Sequence, residues 1–272
     1  MRIDGKEIRD ILKNEIRGDV ARAPIPLRLA VVSVGEDPVA RSFVNIKKRC
    51  ANDLGVIFSE RSFPRDSSFP LIQETIQALN EDITVTGIIV QLPLPLHLDT
   101  PAVLELISPL KDVDVLSPRT YKLFAEGEGV LLPPVVSAIA EICRRGRVDI
   151  RGHNVVVLGN GRLVGAPAGL WFRREGARVS VFDKSAPPSP AQLLDADIVV
   201  CGMGHAGYIK PEMLKRDVVL IDAGTSESAG VIVGDADPRC EEIASIFTPV
   251  PGGVGPITVA MIFKNLVILS RV

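Results

Sequence analysis

The feature that most restricts this chain is a recurring alternation of short aliphatic runs with segments of helical spacing. The runs are LRLAVVSVG, VIFSER, VTGIIVQL, NVVVLG, ARVSVFD, DIVVCG and DVVLIDAG. They are short, rich in β-branched residues and bounded by turn residues, so they read as strands. A strand followed by a helix and another strand returns the chain to the same end of a sheet, which makes the two strands parallel. Parallel sheets are covered on both faces, and this accounts for strands that are nearly continuous in apolar residues rather than alternating. The expected class is α/β, with parallel sheets flanked by helices. At 46% hydrophobic but only 4% aromatic, the core must be built from Val, Ile, Leu and Ala, and 272 residues suffice for two such domains.

Helix punctuation supports this reading. Asp4-Gly5-Lys6-Glu7 has the spacing of a capping box, and Ile8, Ile11, Leu12 and Ile16 then share one stripe. Asp37-Pro38 is an N-cap and first-turn pair for a helix running to Gly55. SSFPLIQETIQALN and TPAVLELI read as further helices. The rhythm breaks between Lys111 and Leu132, a mixed, turn-rich stretch to which no helix is assigned, before PPVVSAIAEICRRG starts a bridging helix on Pro134. We place a domain boundary near residue 118. The last apolar segment, ITVAMIFKNLVILSR, is expected to pack back across the structure.

A formal net charge of −2 leaves no positive excess for gripping a phosphate backbone, which argues against a nucleic-acid binder. Cys50, Cys143, Cys201 and Cys240 form no CxxC, and His97, His153 and His205 have no ligand spacing, so no metal site is expected. The beginning, MRIDGKEIRD, is charged and unlike a signal peptide, and no run approaches a membrane span. A soluble protein of the cytoplasm is the expectation.

Two groups of residues carry chemistry. VVVLGNGRLVGAP sets Gly159, Asn160, Gly161, Arg162, Val164 and Gly165 between a buried strand and a helix, where backbone N–H groups and the positive helix end meet a pyrophosphate. The third glycine comes one residue later than in G-x-G-x-x-G, and a tight strand-to-helix turn needs glycine in any case. Asp183 ends the next strand, placed to accept from an adenosine ribose and to repel a 2′-phosphate, which leans towards NAD. Lys184 and Arg162 lean towards NADP, and the choice stays open at this level.

In the first half, Phe43 and Lys47 lie four apart on one helix face. A lysine there is ordinarily just solvated. Two stretches argue for more: QLPLP offers the amide of Gln91 to an ammonium, and KDVD sets Asp112 and Asp114 on matching faces of a short extended segment, offering a carboxylate to an amidine-like N–H pair. Near the end, TPVPGGVGPIT packs three prolines and three glycines between Pro249 and Pro256. That mixture dictates a backbone path with almost no side chain on it, suited to a flat ligand.

QLPLP, KDVD, the glycine turn and PVPGGVGP occur in the order and rough spacing of the bifunctional methylenetetrahydrofolate dehydrogenase/cyclohydrolase family, which the chain resembles over essentially its whole length. The resemblance implies an N-terminal α/β catalytic domain (1–118 plus 250–272) and a Rossmann-like dinucleotide-binding domain (119–249), with the C-terminal helix returning to the first. It implies that Lys47 is the catalytic lysine, Gln91 its partner, and Asp114 the carboxylate holding the pterin. Phe43 would stack on the folate, and Pro251, Gly252 and Gly253 would line the substrate cleft. Gly159 to Gly165, Gly204, Asp222-Ala223-Gly224 and Thr225 would face NAD(P)+, with NADP the family's usual cofactor. Tetrahydrofolate derivatives would be the substrates, and a homodimer through the nucleotide domain the assembly.

The chain departs from the family pattern in places. Phe43 replaces a usual tyrosine, Gly161 a serine, Val115 the glycine after KDVD, and Leu132-Pro133-Pro134 a CTP; Thr225 and Ser226 follow the DAG turn. Hydride transfer, which needs mainly geometry, is expected to tolerate these changes better than hydrolysis. They motivate an alternative, a catalytically impaired folate- and dinucleotide-binding regulator or partner subunit; retention of Lys47, Gln91 and Asp114 speaks against it. A Rossmann dehydrogenase for another small metabolite would leave QLPLP and PVPGGVGP unexplained.

Overall fold

The computed structural model describes residues 1–228 and 231–272. By backbone proximity the chain divides into two compact units, residues 11–134 with 259–272, and residues 1–10 with 135–258. The junctions read from the sequence, at 118 and 250, fall at the start of one helix and in the loop ahead of the last one.

The opening helix α1 (Gly5–Ala21) is capped by Asp4, whose Oδ1 accepts from the backbone N–H of Lys6 and Glu7. Then come β1 (Arg28–Val34), α2 (Pro38–Leu54), β2 (Ile57–Phe63), α3 (Phe69–Glu81), β3 (Gly87–Val90) and α4 (Thr100–Glu105). Asp37 Oδ1 accepts from Ala40 N at 2.7 Å to start α2, and Gly55 ends it in the left-handed region at φ +74°. The three strands form a parallel sheet in the order β2-β1-β3. One face, with Ala30, Val32, Ile88 and Val90, packs on Ile72 and Ile76 of α3, all at most 2% exposed. Each such Val or Ile side chain contributes roughly 1.5–3 kcal/mol when fully buried.

The turn-rich stretch holds a helix to which the sequence reading assigns none, α5 (Pro118–Glu126). Its signals are local: Ser117 Oγ accepts from Thr120 N at 3.1 Å, proline occupies the first turn, and Gly127 closes the end in the left-handed region. At nine residues it shows only a narrow apolar stripe, Thr120 and Phe124 being its buried positions. The bridging helix α6 (Pro134–Gly146) follows.

The second unit contains β4 (Asn154–Leu158), α7 (Gly165–Arg174), β5 (Arg178–Phe182), α8 (Pro190–Leu194), β6 (Ile198–Cys201), β7 (Val219–Asp222), the short antiparallel ribbon β8 (Ser226–Ser228) and β9 (Val231–Val233), and β10 (Ile246–Phe247). The parallel sheet has the order β10-β7-β6-β4-β5. The chain leaves β4 for β5 on one side and then crosses to β6 on the other. This reversal creates a crevice beyond the carboxyl ends of β4 and β6, where open α/β sheets bind ligands.

The last helix, α9 (Val254–Leu269), begins inside the PGGVGP motif. Its Asn265, 3% exposed, donates through Nδ2 to the carbonyls of Val113 and Leu132, each at 2.9 Å, which ties the C-terminal segment into the N-terminal unit. Among the described residues no helix is long and apolar enough to cross a membrane.

Candidate active site

Helix α2 buries Val44, Lys47, Ala51 and Leu54, so the lysine falls on the apolar face of its helix. Lys47 is 8% exposed and its Nζ donates to Gln91 Oε1 at 2.8 Å. Gln91 follows β3, and its Nε2 donates to Leu92 O at 2.7 Å, which commits the amide to presenting its oxygen to the lysine. The next peptide, Leu92-Pro93, is cis. Phe43 lies one turn before Lys47 and is half-exposed.

The KDVD segment is a turn rather than the extended piece expected, and this separates its two acids. Asp112 is fully buried; its Oδ1 accepts from Leu116 N at 3.3 Å and Oδ2 from Ser117 N at 2.8 Å, so it clamps its own turn. Asp114, less buried, is the carboxylate electrostatically coupled to Lys47. Inside the clamped turn, Val115 sits fully buried at φ +56°. This β-branched residue occupies the place where the family pattern has glycine, at a cost of about 1–2 kcal/mol.

Burial pushes the Lys47 amine below the usual lysine range, against the opposing pull of the Asp114 carboxylate. Burial likewise raises Asp114 to about 6, with the Lys47 ammonium lowering it and the Asp112 charge raising it further. The result is an amine and a carboxylate that both exchange protons closer to neutrality than in water.

In the second unit, the turn between β4 and α7 has Gly159 at φ +101°. A Cβ on Gly165 would lie 1.7 Å from Gly159 O, so the helix start and the strand end touch backbone to backbone. A Cβ on Gly161 would meet nothing within 4 Å, and this glycine lies exposed with Asn160 and Arg162; Val164 holds the cap position ahead of α7 and gives the helix no side-chain cap. A bare, uncapped turn of this kind fits a dinucleotide pyrophosphate. Asp183, placed by sequence against a ribose, also bonds within its own turn: its Oδ1 accepts from Ser185 Oγ at 2.6 Å, Ser185 N at 2.9 Å and Ala186 N at 3.2 Å. These donors, the Ser185 hydroxyl foremost, hold its carboxyl below the usual range. Lys184 beside it is exposed.

Gly204 lies exposed at φ +63°, Gly224 is buried and Thr225 exposed. Pro251 is exposed after a cis Val250-Pro251 bond, Gly252 has φ +111°, and Gly253 N donates to Pro249 O at 2.7 Å. Phe43, Lys47, Gln91 and Asp114 thus belong to one compact unit, and the glycine turn, Gly204, Gly224, Thr225 and residues 251–253 to the other. Asp235, fully buried at this end of the second sheet, is a residue that the sequence reading does not single out. Its only signal is an acid set between Gly234 and Ala236, small residues that permit close packing.

Two family models match this chain: the tetrahydrofolate dehydrogenase/cyclohydrolase catalytic domain over residues 3–114, and the NAD(P)-binding domain of the same family over residues 133–271. The chain belongs to the tetrahydrofolate dehydrogenase/cyclohydrolase family. Among relatives in this family, bifunctional protein FolD 2 of Desulfitobacterium hafniense is 37% identical over 268 residues, covering 97% of this chain and 94% of its own length. The crystal structure of the bifunctional enzyme FolD, methylenetetrahydrofolate dehydrogenase/cyclohydrolase, from Campylobacter jejuni superposes with a TM-score of 0.96 at 29% identity, covering 100% of this chain and 98% of that one. The Trypanosoma brucei FolD, solved with NADP and an inhibitor, gives 0.95 at 30% identity over 100% and 97% of the two chains. The two-domain α/β architecture read from the sequence is that of these tetrahydrofolate dehydrogenase/cyclohydrolase structures.

Proposed function

We infer that this chain oxidises 5,10-methylenetetrahydrofolate to the 5,10-methenyl cation, passing a hydride to NAD(P)+, and then hydrolyses the cation to 10-formyltetrahydrofolate. The observation that carries this is the buried 2.8 Å bond from Lys47 Nζ to Gln91 Oε1, with Asp114 as the coupled carboxylate. A bound nicotinamide supplies a hydride acceptor at C4. The protein's own work is to hold flat ligands in reacting geometry and to move protons. Asp114 accepts the amidine-like N–H pair of the pterin, a charge-assisted and bidentate contact. Phe43 stacks on the ring system without a hydroxyl, so proton movement near it passes through water.

For the second step, the Lys47 amine takes a proton from the water that attacks the methenyl carbon and returns it to N5 as the bond from that carbon to N5 breaks; the formyl group stays on N10, the hydroxyl proton leaves to solvent, and Gln91 keeps the amine aimed. Burial lowers the lysine pKa and so favours, against the opposing pull of Asp114, the neutral amine that this needs. The reading as an impaired binding subunit is disfavoured, because the lysine, glutamine and carboxylate remain engaged with one another at a desolvation cost that a decayed site has no reason to bear. We assign the pterin chemistry to the unit that carries Phe43, Lys47, Gln91 and Asp114. The dinucleotide falls to 119–249, where Gly159, Asn160, Gly161, Arg162, Val164, Gly165, Gly204, Gly224 and Thr225 form its surroundings.

For the cofactor, the negative charge of Asp183, stabilised by Ser185 and Ala186, favours NAD over NADP at the end of β5, against the family default and the exposed cations Lys184 and Arg162. We further infer a homodimer, by family resemblance, and a cytoplasmic setting, which suits the four buried thiols. The deciding experiment follows reduced-nicotinamide absorbance with methylenetetrahydrofolate and each dinucleotide in turn. Absence of reduction with both, while methenyltetrahydrofolate is hydrolysed, would remove the dehydrogenase assignment.

A further inference from the structure

Two buried carboxylates at the ligand-binding end of the second sheet take no part in the chemistry above. Asp222 ends β7 and is 1% exposed; Asp235 follows β9 and is fully buried. Asp235 Oδ2 accepts from Met203 N and its Oδ1 from His205 N, both at 2.6 Å. These donors belong to the loop after β6, 30 and 32 residues away in sequence. Asp222 in turn accepts from Gly224 N at 2.9 Å through Oδ1 and from Ala236 N at 2.8 Å through Oδ2, while its own N–H donates to Thr248 Oγ1 at 2.7 Å. Gly224 has to be bare, since a Cβ there would lie 2.2 Å from the Asp235 carboxyl carbon.

Burying a carboxylate is expensive unless donors satisfy it, and here backbone N–H groups from separate loops do so. A pair of converging N–H donors needs a group that only accepts, which a carboxylate is and an amide is not. The loop so held lies beside the strand-order reversal: a Cβ on Gly159 would come 2.4 Å from Gly202 O, and one on Gly202 would come 2.6 Å from Val164 Cγ1. The start of the loop, Gly202 and Met203, thus packs directly against the glycine turn.

We propose that Asp235 is a positioning residue for the dinucleotide, fixing the Met203–His205 loop against the β4–α7 turn. Asp222 registers the segment that carries Asp235 by binding Ala236 N. This rests on the dehydrogenase reading above, in which the crevice beyond β4 and β6 receives NAD(P)+.

The test is Asp235→Asn, which keeps size and shape but turns an NH₂ group towards one of the two N–H donors. The dinucleotide KM should rise roughly ten- to hundredfold, while the KM for methylenetetrahydrofolate and the dinucleotide-free hydrolysis of methenyltetrahydrofolate change less than about twofold. An unchanged dinucleotide KM overturns the proposal, and so does an equal loss of both activities, which marks a general structural role. If the variant does not fold, amide exchange on the wild-type protein decides: Met203 and His205 should be protected to the level of β6, and exchange at exposed-loop rates overturns the assignment. If the wild-type protein reduces no dinucleotide, the dehydrogenase reading fails separately; calorimetric titration of NAD and NADP into both proteins then reads the positioning directly. Binding about tenfold weaker or worse in the variant supports it, and equal affinity, or none in the wild type, overturns it.

Discussion

Asp114 is costly to keep charged, and replacing it exposes that cost. In the folded protein its pKa lies at about 6 against an ordinary value of 3.8, chiefly through burial, with the Lys47 attraction already counted. Because the folded value is the higher one, the native state binds this proton more tightly than the unfolded chain. The wild-type protein therefore loses stability through this group as pH rises from about 4 to about 6, and the loss is complete above that. At about 1.36 kcal/mol per pKa unit, the charged carboxylate costs roughly 3 kcal/mol at neutral pH. Asp114→Asn mimics the neutral acid and should recover up to that amount at about pH 7.5, with the gain vanishing towards about pH 4. Urea unfolding of both proteins at the two pH values measures the gap, and comparing them at each pH cancels other titrating groups such as Asp222, which burial also raises to about 6. The same variant should lose pterin binding, the trade of stability for function seen at many sites. A variant less stable than wild type at neutral pH, or a gap of equal size at both pH values, would refute the reasoning.

Three more outcomes follow from the same geometry. Lys47→Met should slow hydrolysis of methenyltetrahydrofolate by about 10²–10⁴-fold with folate affinity largely kept; hydrolysis at the wild-type rate would remove Lys47 from proton exchange. Asp183→Ser should raise the NADP-to-NAD ratio of kcat/KM by about tenfold, one charge-pair interaction's worth; an unaltered ratio would discard the repulsion argument. Gly165→Ala forces a methyl to 1.7 Å from Gly159 O and should destabilise by about 3 kcal/mol or abolish folding. Gly161→Ala meets nothing within 4 Å and should leave the thermal midpoint unchanged; similar melts for the two would contradict the described turn.

Much of the architecture is legible in the sequence because its signals are local. The caps at Asp4, Asp37 and Gly55 act within a few residues, and the aliphatic runs declare buried parallel strands wherever they pair. What escapes is short or defined by pairing alone. Helix α5 has only nine residues, and its cap, first-turn proline and closing glycine lie in a text dense with other turn residues. Strand β10 has two residues and is defined only by pairing, with β7 and through a bridge from Phe247 to Arg2. The KDVD segment reads as extended from the alternation of Asp112 and Asp114 about Val113; the Asp112 clamp on Leu116 N and Ser117 N folds it into a turn.

The sequence by itself determined the α/β class, the parallel pairing, the family and the residue types at each site, since these depend on spacing and local preference. Only tertiary structure decided which carboxylate couples to Lys47, that Asp183 bonds within its own turn, and that Asp235 reaches back about thirty residues to two loop amides. Those outcomes depend on where converging backbone groups must find partners once water is excluded, and no pattern along the chain records that.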